Sequence, residues 1–121
     1  MVLNAAAWTN VDGAEGDEAA AAVVNGEAPT AMAAAAAAKG VPFIHISTDY
    51  VFDGTKREPY LESDPTCPIN AYGRSKLRGE RLALGHPTTL VIRTSWVISG
   101  THDNFISAIL RGASAGPLSV V

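Results

Sequence analysis

Short apolar segments alternate with amphipathic and alanine-rich segments along this chain. The apolar runs have the length of buried strands and lie at residues 2–6, 42–47 and 89–94, with a fourth strand just beginning at 118–121. Helical patterning covers residues 18–39, 70–84 and 104–112. Polar loops fill residues 9–17 and 48–68, and a loop as long as the second is usually functional.

The first helical segment, residues 18–39, contains residues that interrupt a helix, and a glycine follows it. We predict a break near Asn25-Gly26, with Pro29 in the first turn of a second helix and Gly40 at its end. Strands separated by helices predict parallel pairing with right-handed crossovers. The expected fold class is therefore α/β, a parallel sheet with flanking helices.

Polar clusters follow each of the three predicted strands. They are Ala7-Trp8-Thr9, Ser47-Thr48-Asp49-Tyr50 and Thr94-Ser95-Trp96. In parallel sheets, ligands bind beyond the carboxyl ends of the strands. We therefore expect the three clusters to surround one crevice, together with the helix that follows the second strand.

That helix carries Tyr72 and Lys76 four residues apart, on one of its faces. A phenol near an ammonium in a dry site has its phenolate favoured. We therefore expect the pKa of Tyr72 to fall and its hydroxyl to act as a proton donor. The alternative is a half-buried helix tyrosine beside a lysine whose ammonium reaches solvent. The spacing of Tyr72 and Lys76 indicates a functional site only because Ser47-Thr48 lies at the end of the preceding strand.

Composition restricts the classes of protein to consider. Of 121 residues, 47% are hydrophobic and 17% charged, which fits at most one domain with a real core. The net charge of −3, without a basic tract, argues against a nucleic-acid partner. Without a leader, or an apolar run near the roughly 20 residues of a membrane helix, we expect a cytoplasmic protein and no membrane partner. The single cysteine, Cys67, excludes an internal disulfide.

Several segments together resemble the dTDP-4-dehydrorhamnose reductases, a branch of the extended short-chain dehydrogenase/reductases. The most specific are Ser47-Thr48-Asp49-Tyr50-Val51-Phe52-Asp53-Gly54 and Arg93-Thr94-Ser95-Trp96-Val97. The others are residues 4–12, Val24-Asn25 and residues 68–76, the last of which contain Tyr72 and Lys76. The resemblance runs in order through essentially the whole chain and implies an NAD(P)-binding Rossmann fold.

The resemblance also implies a reaction and a role for each matching residue. The family reduces the 4-keto group of dTDP-6-deoxy-L-lyxo-4-hexulose with NADPH or NADH, giving dTDP-L-rhamnose. Tyr72 would deliver the proton, Lys76 would hold the nicotinamide ribose and keep Tyr72 acidic, and Thr48 would bind the carbonyl oxygen. The turn along the cofactor matches Ala7, Trp8 and Thr9, and the sugar-nucleotide site matches Asp49, Tyr50 and Trp96.

Further partners are implied less directly. Family members form homodimers at full length and can carry Mg²⁺ at the dimer contact, but no residue of this sequence can be assigned as its ligand. His45 sits within a strand and is expected to be a core histidine rather than a metal ligand.

The sequence lacks one feature of the family. It contains no Gly-x-Gly-x-x-Gly turn of the kind that holds a pyrophosphate at a helix N-terminus. We interpret residues 1–121 as the central part of a single Rossmann domain, truncated at both ends and lacking the N-terminal Gly-rich βαβ unit. A parallel sheet without its neighbours exposes apolar surface, so we expect marginal stability and weakened cofactor affinity for the isolated chain.

Alternative interpretations remain for the function and for single residues. The same branch includes non-catalytic, dinucleotide-binding regulatory subunits, such as that of methionine adenosyltransferase, and an inactive fragment is a further alternative. Nucleotide-sugar epimerases and dehydratases share the Tyr-x-x-x-Lys pair. Retention of Thr48, Tyr72 and Lys76 together favours an enzyme over a regulatory subunit, and Thr94-Ser95-Trp96 resembles the reductases rather than the epimerases and dehydratases. For Thr48 and Asp49 the alternative is a turn-forming role, and for Trp96 it is core packing.

Overall fold

Three parallel strands form the sheet of this protein, whose structure is a computed structural model describing residues 1–117. They are β1 (Val2–Asn4), β2 (Phe43–Thr48) and β3 (Thr89–Thr94), and they lie side by side in chain order. Both pairings are parallel. The predicted α/β fold with a parallel sheet is thus confirmed, although β1 is shorter than expected. The strand predicted at 118–121 lies outside the described residues.

The helices occupy the connections between the strands. They are α1 (Val11–Gly16), α2 (Glu18–Ala22), α3 (Ala28–Ala38), α4 (Ala71–Ala83) and α5 (Phe105–Ala115). A π-helical turn, Val23–Glu27, joins α2 to α3, and a 3₁₀ turn, Asp49–Val51, follows β2. None of the helices within residues 1–117 is long and apolar enough to cross a membrane.

The prediction of a polar loop over residues 9–17 is wrong, because α1 lies there. Asn10 caps this helix, its side chain accepting a hydrogen bond of 2.9 Å from the Gly13 backbone N–H. Ala14 is fully buried in a cluster with Ala21 and Ala71. Packing against α4 therefore stabilises a glycine-containing segment that has little helix propensity of its own.

The expected break at Asn25-Gly26 is a π-helical turn rather than an interruption. Asn25 is buried there, with 1% of its surface exposed. Its side chain accepts a hydrogen bond from the backbone N–H of Trp8, across the turn that follows β1. The helix then continues as α3, with Pro29 in its first turn, and Gly40 follows its end in the left-handed region at φ +61°.

Helices bury one face of the sheet, whereas the other face is partly exposed to solvent. Phe43, His45 and Ser47 alternate along β2 and are buried beneath the helices, where Phe43 packs with alanines of α3 and α4. Leu90 and Ile92 of β3 point to the other face and remain 54% and 39% exposed. The core of the described residues therefore lies on one side of the sheet.

Candidate active site

A cleft of about 320 Å³ opens where the three strands end. Its lining includes Ala7 and Thr9 after β1, Thr48, Asp49 and Tyr50 after β2, Trp96 after β3, and Tyr72 and Lys76 of α4. Parallel strands place their carboxyl ends at one edge of the sheet, which explains why these residues meet. The structure thus brings together the residues predicted for the site, with the exception of Trp8.

Trp8 points away from the cleft. Its ring packs against the buried alanine cluster of α1, α2 and α4, and its indole N–H donates a hydrogen bond of 2.9 Å to the Asn10 carbonyl. Its backbone N–H and carbonyl are both hydrogen-bonded to the side chain of Asn25. Helix packing thus holds the Trp8 ring, and Asn25 holds its backbone, so of the predicted cofactor turn only Ala7 and Thr9 line the cleft.

Tyr72 is the second residue of α4, and the side chain of Asn70 caps the N-terminus of this helix. The ring of Tyr50 meets that of Tyr72 edge to face, with 5.6 Å between their centres. Partial burial raises the pKa of Tyr72, the Thr48 side chain opposes this, and the charges of Asp49 and Tyr50 add to it. The expected fall in this pKa is wrong for the structure described, because partial burial outweighs the hydrogen bond with Thr48.

Lys76 is buried, with 2% of its surface exposed. Its Nζ donates a hydrogen bond of 2.7 Å to the main-chain carbonyl of Ile46 in β2. Burial lowers its pKa to about 8, and the charge of Glu80 opposes the fall. The alternative of a lysine that reaches solvent is therefore wrong, and a cation fixed at the base of the cleft replaces it.

Thr48 and Asp49 are tied to the turn that follows β2. The Thr48 hydroxyl donates to the Asp49 carboxylate at 3.1 Å and accepts from the Tyr50 backbone N–H at 3.2 Å. Ser95, after β3, donates to the other oxygen of Asp49 at 2.6 Å. Both residues therefore do form the turn, and Asp49 also joins the ends of two strands at the cleft.

Trp96 adopts an uncommon backbone conformation. Its φ is +49°, the only positive value among the non-glycine residues of the described chain. Its side chain is 68% exposed and meets the ring of Phe105 edge to face, with 4.9 Å between the centres. Within residues 1–117, Trp96 is therefore not part of the core.

Sequence reasoning missed two groups that support the site. Asn25 appeared only as part of a motif, whereas its buried side chain connects the turn after β1 to Ser75 of α4, to which it donates at 2.9 Å. Glu80 and Arg93 were not recognised as a pair, although they form a salt bridge of 2.7 Å beneath the helix. The four-residue spacing from Lys76 to Glu80 was a readable signal, but the contact with Arg93 depends on tertiary structure.

The other titratable residues within residues 1–117 do not form a second catalytic or metal site. His45 is fully buried, as expected of a core histidine, and accepts a hydrogen bond at Nδ1 from the side-chain amide of Asn4. Within residues 1–117, no group of three or more His, Cys, Asp or Glu side chains could hold a metal ion. The suggestion of Mg²⁺ therefore finds no support. Cys67 is exposed and lies outside the cleft.

Known proteins resemble this chain over almost its whole length. A dTDP-4-dehydrorhamnose reductase of Burkholderia thailandensis is 57% identical over 113 residues, which cover 92% of this chain and 38% of that protein. A crystal structure of a dTDP-4-dehydrorhamnose reductase from Clostridium acetobutylicum matches with a TM-score of 0.88 and 38% identity, over 94% of this chain and 41% of the other. A Bacillus anthracis dTDP-4-dehydrorhamnose reductase, solved in complex with NADP, also gives a TM-score of 0.88, at 35% identity over 96% and 42% of the two chains.

The chain thus spans about two fifths of the length of the relatives it matches. Its sheet and flanking helices form part of the Rossmann-like fold of those proteins. The family model of the RmlD substrate binding domain matches residues 1–121, and the chain therefore belongs to that protein family.

Proposed function

We propose that this chain carries the nicotinamide end and the proton donor of a dTDP-4-dehydrorhamnose reductase, which acts in dTDP-rhamnose biosynthesis by reducing dTDP-4-dehydro-L-rhamnose to dTDP-L-rhamnose. The observation that carries the proposal is the convergence of Thr48, Tyr72 and Lys76 on one cleft at the carboxyl ends of the strands. Relatives that are named for this reaction match nearly the whole of the chain.

Tyr72 is the proposed proton donor. A phenol is protonated at neutral pH, so Tyr72 has a proton to give when negative charge develops on the sugar oxygen. Thr48 lies in the same cleft, where its hydroxyl is placed to hydrogen-bond the carbonyl oxygen of the substrate. In the free chain that hydroxyl donates to Asp49, and substrate would redirect it.

The chemistry of the cleft fits a nicotinamide cofactor, NADPH or NADH. Lys76 offers an ammonium to ribose hydroxyls, while Ala7 and Thr9 add a small side chain and a hydroxyl to the lining of the same cleft. Reduced nicotinamide, when bound, supplies the hydride that the ketone accepts. When the cofactor arrives, Lys76 would exchange its hydrogen bond with the Ile46 carbonyl for bonds to the ribose.

The sugar nucleotide would bind in the same cleft. Asp49 and Tyr50 line it, and the exposed ring of Trp96 offers a flat surface to a sugar or base. The remainder of the domain, with its phosphate-binding turn, would come from further polypeptide. We therefore propose that residues 1–121 form the central part of one Rossmann domain, whose full-length form is a homodimer.

A chimeric reductase tests the function. Residues 1–121 would replace the matching segment of the Burkholderia thailandensis relative, which is 57% identical over 113 residues. We expect NADPH-dependent reduction of dTDP-4-dehydro-L-rhamnose. The Tyr72→Phe variant should lose at least about 100-fold in kcat while it still binds NADPH, because only the proton donor is removed.

Tyr60→Phe is the matched control. Tyr60 lies in the loop after β2, outside the cleft, and its hydroxyl donates to Asp53 at 2.8 Å. The control should retain reductase activity. An active chimera whose Tyr72→Phe variant keeps full activity would remove Tyr72 from the mechanism, and an inactive, folded chimera would refute the proposed reaction.

A further inference from the structure

A buried ion pair lies one helical turn beyond Lys76. Glu80 of α4 is 1% exposed and is the only carboxylate classed as buried among residues 1–117. Arg93 of β3 donates from Nε to Oε1 at 3.0 Å and from Nη2 to Oε2 at 2.7 Å. The guanidinium also lies 4.9 Å from the centre of the Phe52 ring. This two-pronged contact fixes the Glu80 carboxylate in place.

Lys76 is the second buried charge on the same helix. Residues four apart lie on one helical face, so Lys76 and Glu80 are neighbours there. The hydrogen bond of Lys76 goes to a neutral acceptor, the Ile46 carbonyl. An ammonium removed from water is costly unless an opposite charge lies near it. Glu80 is the group whose charge favours the protonated form of Lys76.

The other charged groups around α4 do not replace Glu80. His45, facing the helix from β2, is neutral at pH 7 because burial lowers its pKa to about 4. Tyr72 and Asp49 line the cleft, and the Asp49 carboxylate accepts hydrogen bonds from Ser95 and Thr48. The remaining carboxylates that contact α4 bind other groups, namely Glu15 with the Ala71 N–H, Glu18 with Arg74, and Glu27 with Arg78.

We propose that Glu80 is a positioning residue for Lys76: its buried carboxylate, fixed by Arg93, supplies the counter-charge that keeps the Lys76 side chain an ammonium at the cleft. The significance of that ammonium rests on the proposed function, but the inference concerns the protonation of Lys76 itself. Glu80 and Arg93 carry opposite charges beside one site. Loss of Glu80 therefore disfavours the ammonium, and loss of Arg93 favours it.

A lysine titration by NMR tests this directly in the 121-residue chain. The sequence has three lysines, Lys39, Lys56 and Lys76, so ¹³Cε labelling gives three signals that Lys39→Arg and Lys56→Arg assign. The Lys76 signal should titrate at about 8. Glu80→Gln should shift that midpoint downward by at least about half a pH unit, and Arg93→Gln should shift it upward, because a positive charge near the ammonium is removed.

Glu27→Gln is the matched control. It also removes a carboxylate paired with an arginine on α4, but this pair is more than half exposed, so the Lys76 midpoint should not move. Both test variants break the same ion pair, and a purely structural role would move Lys76 in the same direction in each. Opposite shifts therefore support the proposal.

Shifts of equal sign, or no shift, would overturn it. If circular dichroism shows that Glu80→Gln is unfolded, Arg93→Gln decides alone: an upward shift supports the proposal, and any other result refutes it. Unfolding of both variants would assign the pair to stability alone, and a wild-type chain whose three lysines titrate together at an ordinary value would also refute it. The lysine titration does not use a reductase assay. Its result can therefore be interpreted even if the proposed function proves wrong.

Discussion

The side chain of Asn25 pairs with both main-chain polar groups of Trp8. It accepts from the Trp8 N–H at 2.8 Å and donates to the Trp8 carbonyl at 3.1 Å. The same amide donates to the Ser75 hydroxyl, which in turn donates to the carbonyl of Tyr72 at 2.7 Å. One buried amide thus connects the turn after β1 to the helix that carries Tyr72 and Lys76.

Asn25→Ala should destabilise the chain by about 2–4 kcal/mol, because it leaves two partly buried backbone groups of Trp8 without partners and removes a buried amide. Ser75→Ala removes only one link of the same chain of bonds and should cost about 1 kcal/mol. Urea unfolding followed by circular dichroism measures both values. Equal and small losses in the two variants would show that Asn25 does not hold the turn.

Gly79 of α4 permits close contact between two helical segments. A Cβ at this position would overlap the carbonyl oxygen of Asn25 in the π-helical turn. Gly79→Ala should therefore destabilise the chain by about 1–3 kcal/mol, although alanine is the better helix former. Gly16→Ala in α1 is the control, since its Cβ would meet no atom within 4 Å. A stabilised Gly79→Ala chain would contradict the packing described.

His45 makes the fold sensitive to acid. Burial, with a smaller effect of Lys76, lowers its pKa to about 4 in the folded chain, from 6.5. The unfolded chain therefore binds more protons between these values, and stability falls as the pH drops from 6.5 towards 4, by up to about 3 kcal/mol. His45→Gln should reduce this loss of stability at low pH, whereas His102→Asn in an exposed loop should leave it unchanged. Denaturant titrations at pH 4.5 and 7 compare the three chains.

The uncovered face of the sheet tests the proposal of a larger domain. Leu90 is 54% exposed, so Leu90→Lys should change the stability of the 121-residue chain by less than about 0.5 kcal/mol. In the chimeric reductase, the added polypeptide would bury this position, and the same substitution should cost about 2–5 kcal/mol. Equal, small costs in both proteins would mean that the face stays uncovered.

The sequence predicted β3 and α4 closely because local signals agreed there. Asn70 caps α4, amphipathic spacing defines its buried face, and glycine with proline follows its end. By contrast, α1 was missed, since its glycines and acidic residues are typical of a loop and its stability comes from packing against α4.

The site was predicted by topology and resemblance rather than by side-chain chemistry. Chain order places Thr48 and Trp96 at the same sheet edge. The orientation of Trp8 and the pKa of Tyr72 could not be read from spacing. Both depend on three-dimensional contacts, the first with Asn25 and the second with a partly buried surrounding next to Asp49.

Binding of the nicotinamide end is the measurement to make first. The purified chain would be titrated with NADPH and with reduced nicotinamide mononucleotide, following nicotinamide fluorescence, while circular dichroism monitors folding. We expect saturable binding of both with affinities within about tenfold of each other, because the cleft is proposed to contact only the nicotinamide half, and weaker binding by Lys76→Met. Absence of saturable binding by the folded chain, or unchanged binding by Lys76→Met, would contradict the assignment of this cleft to the cofactor.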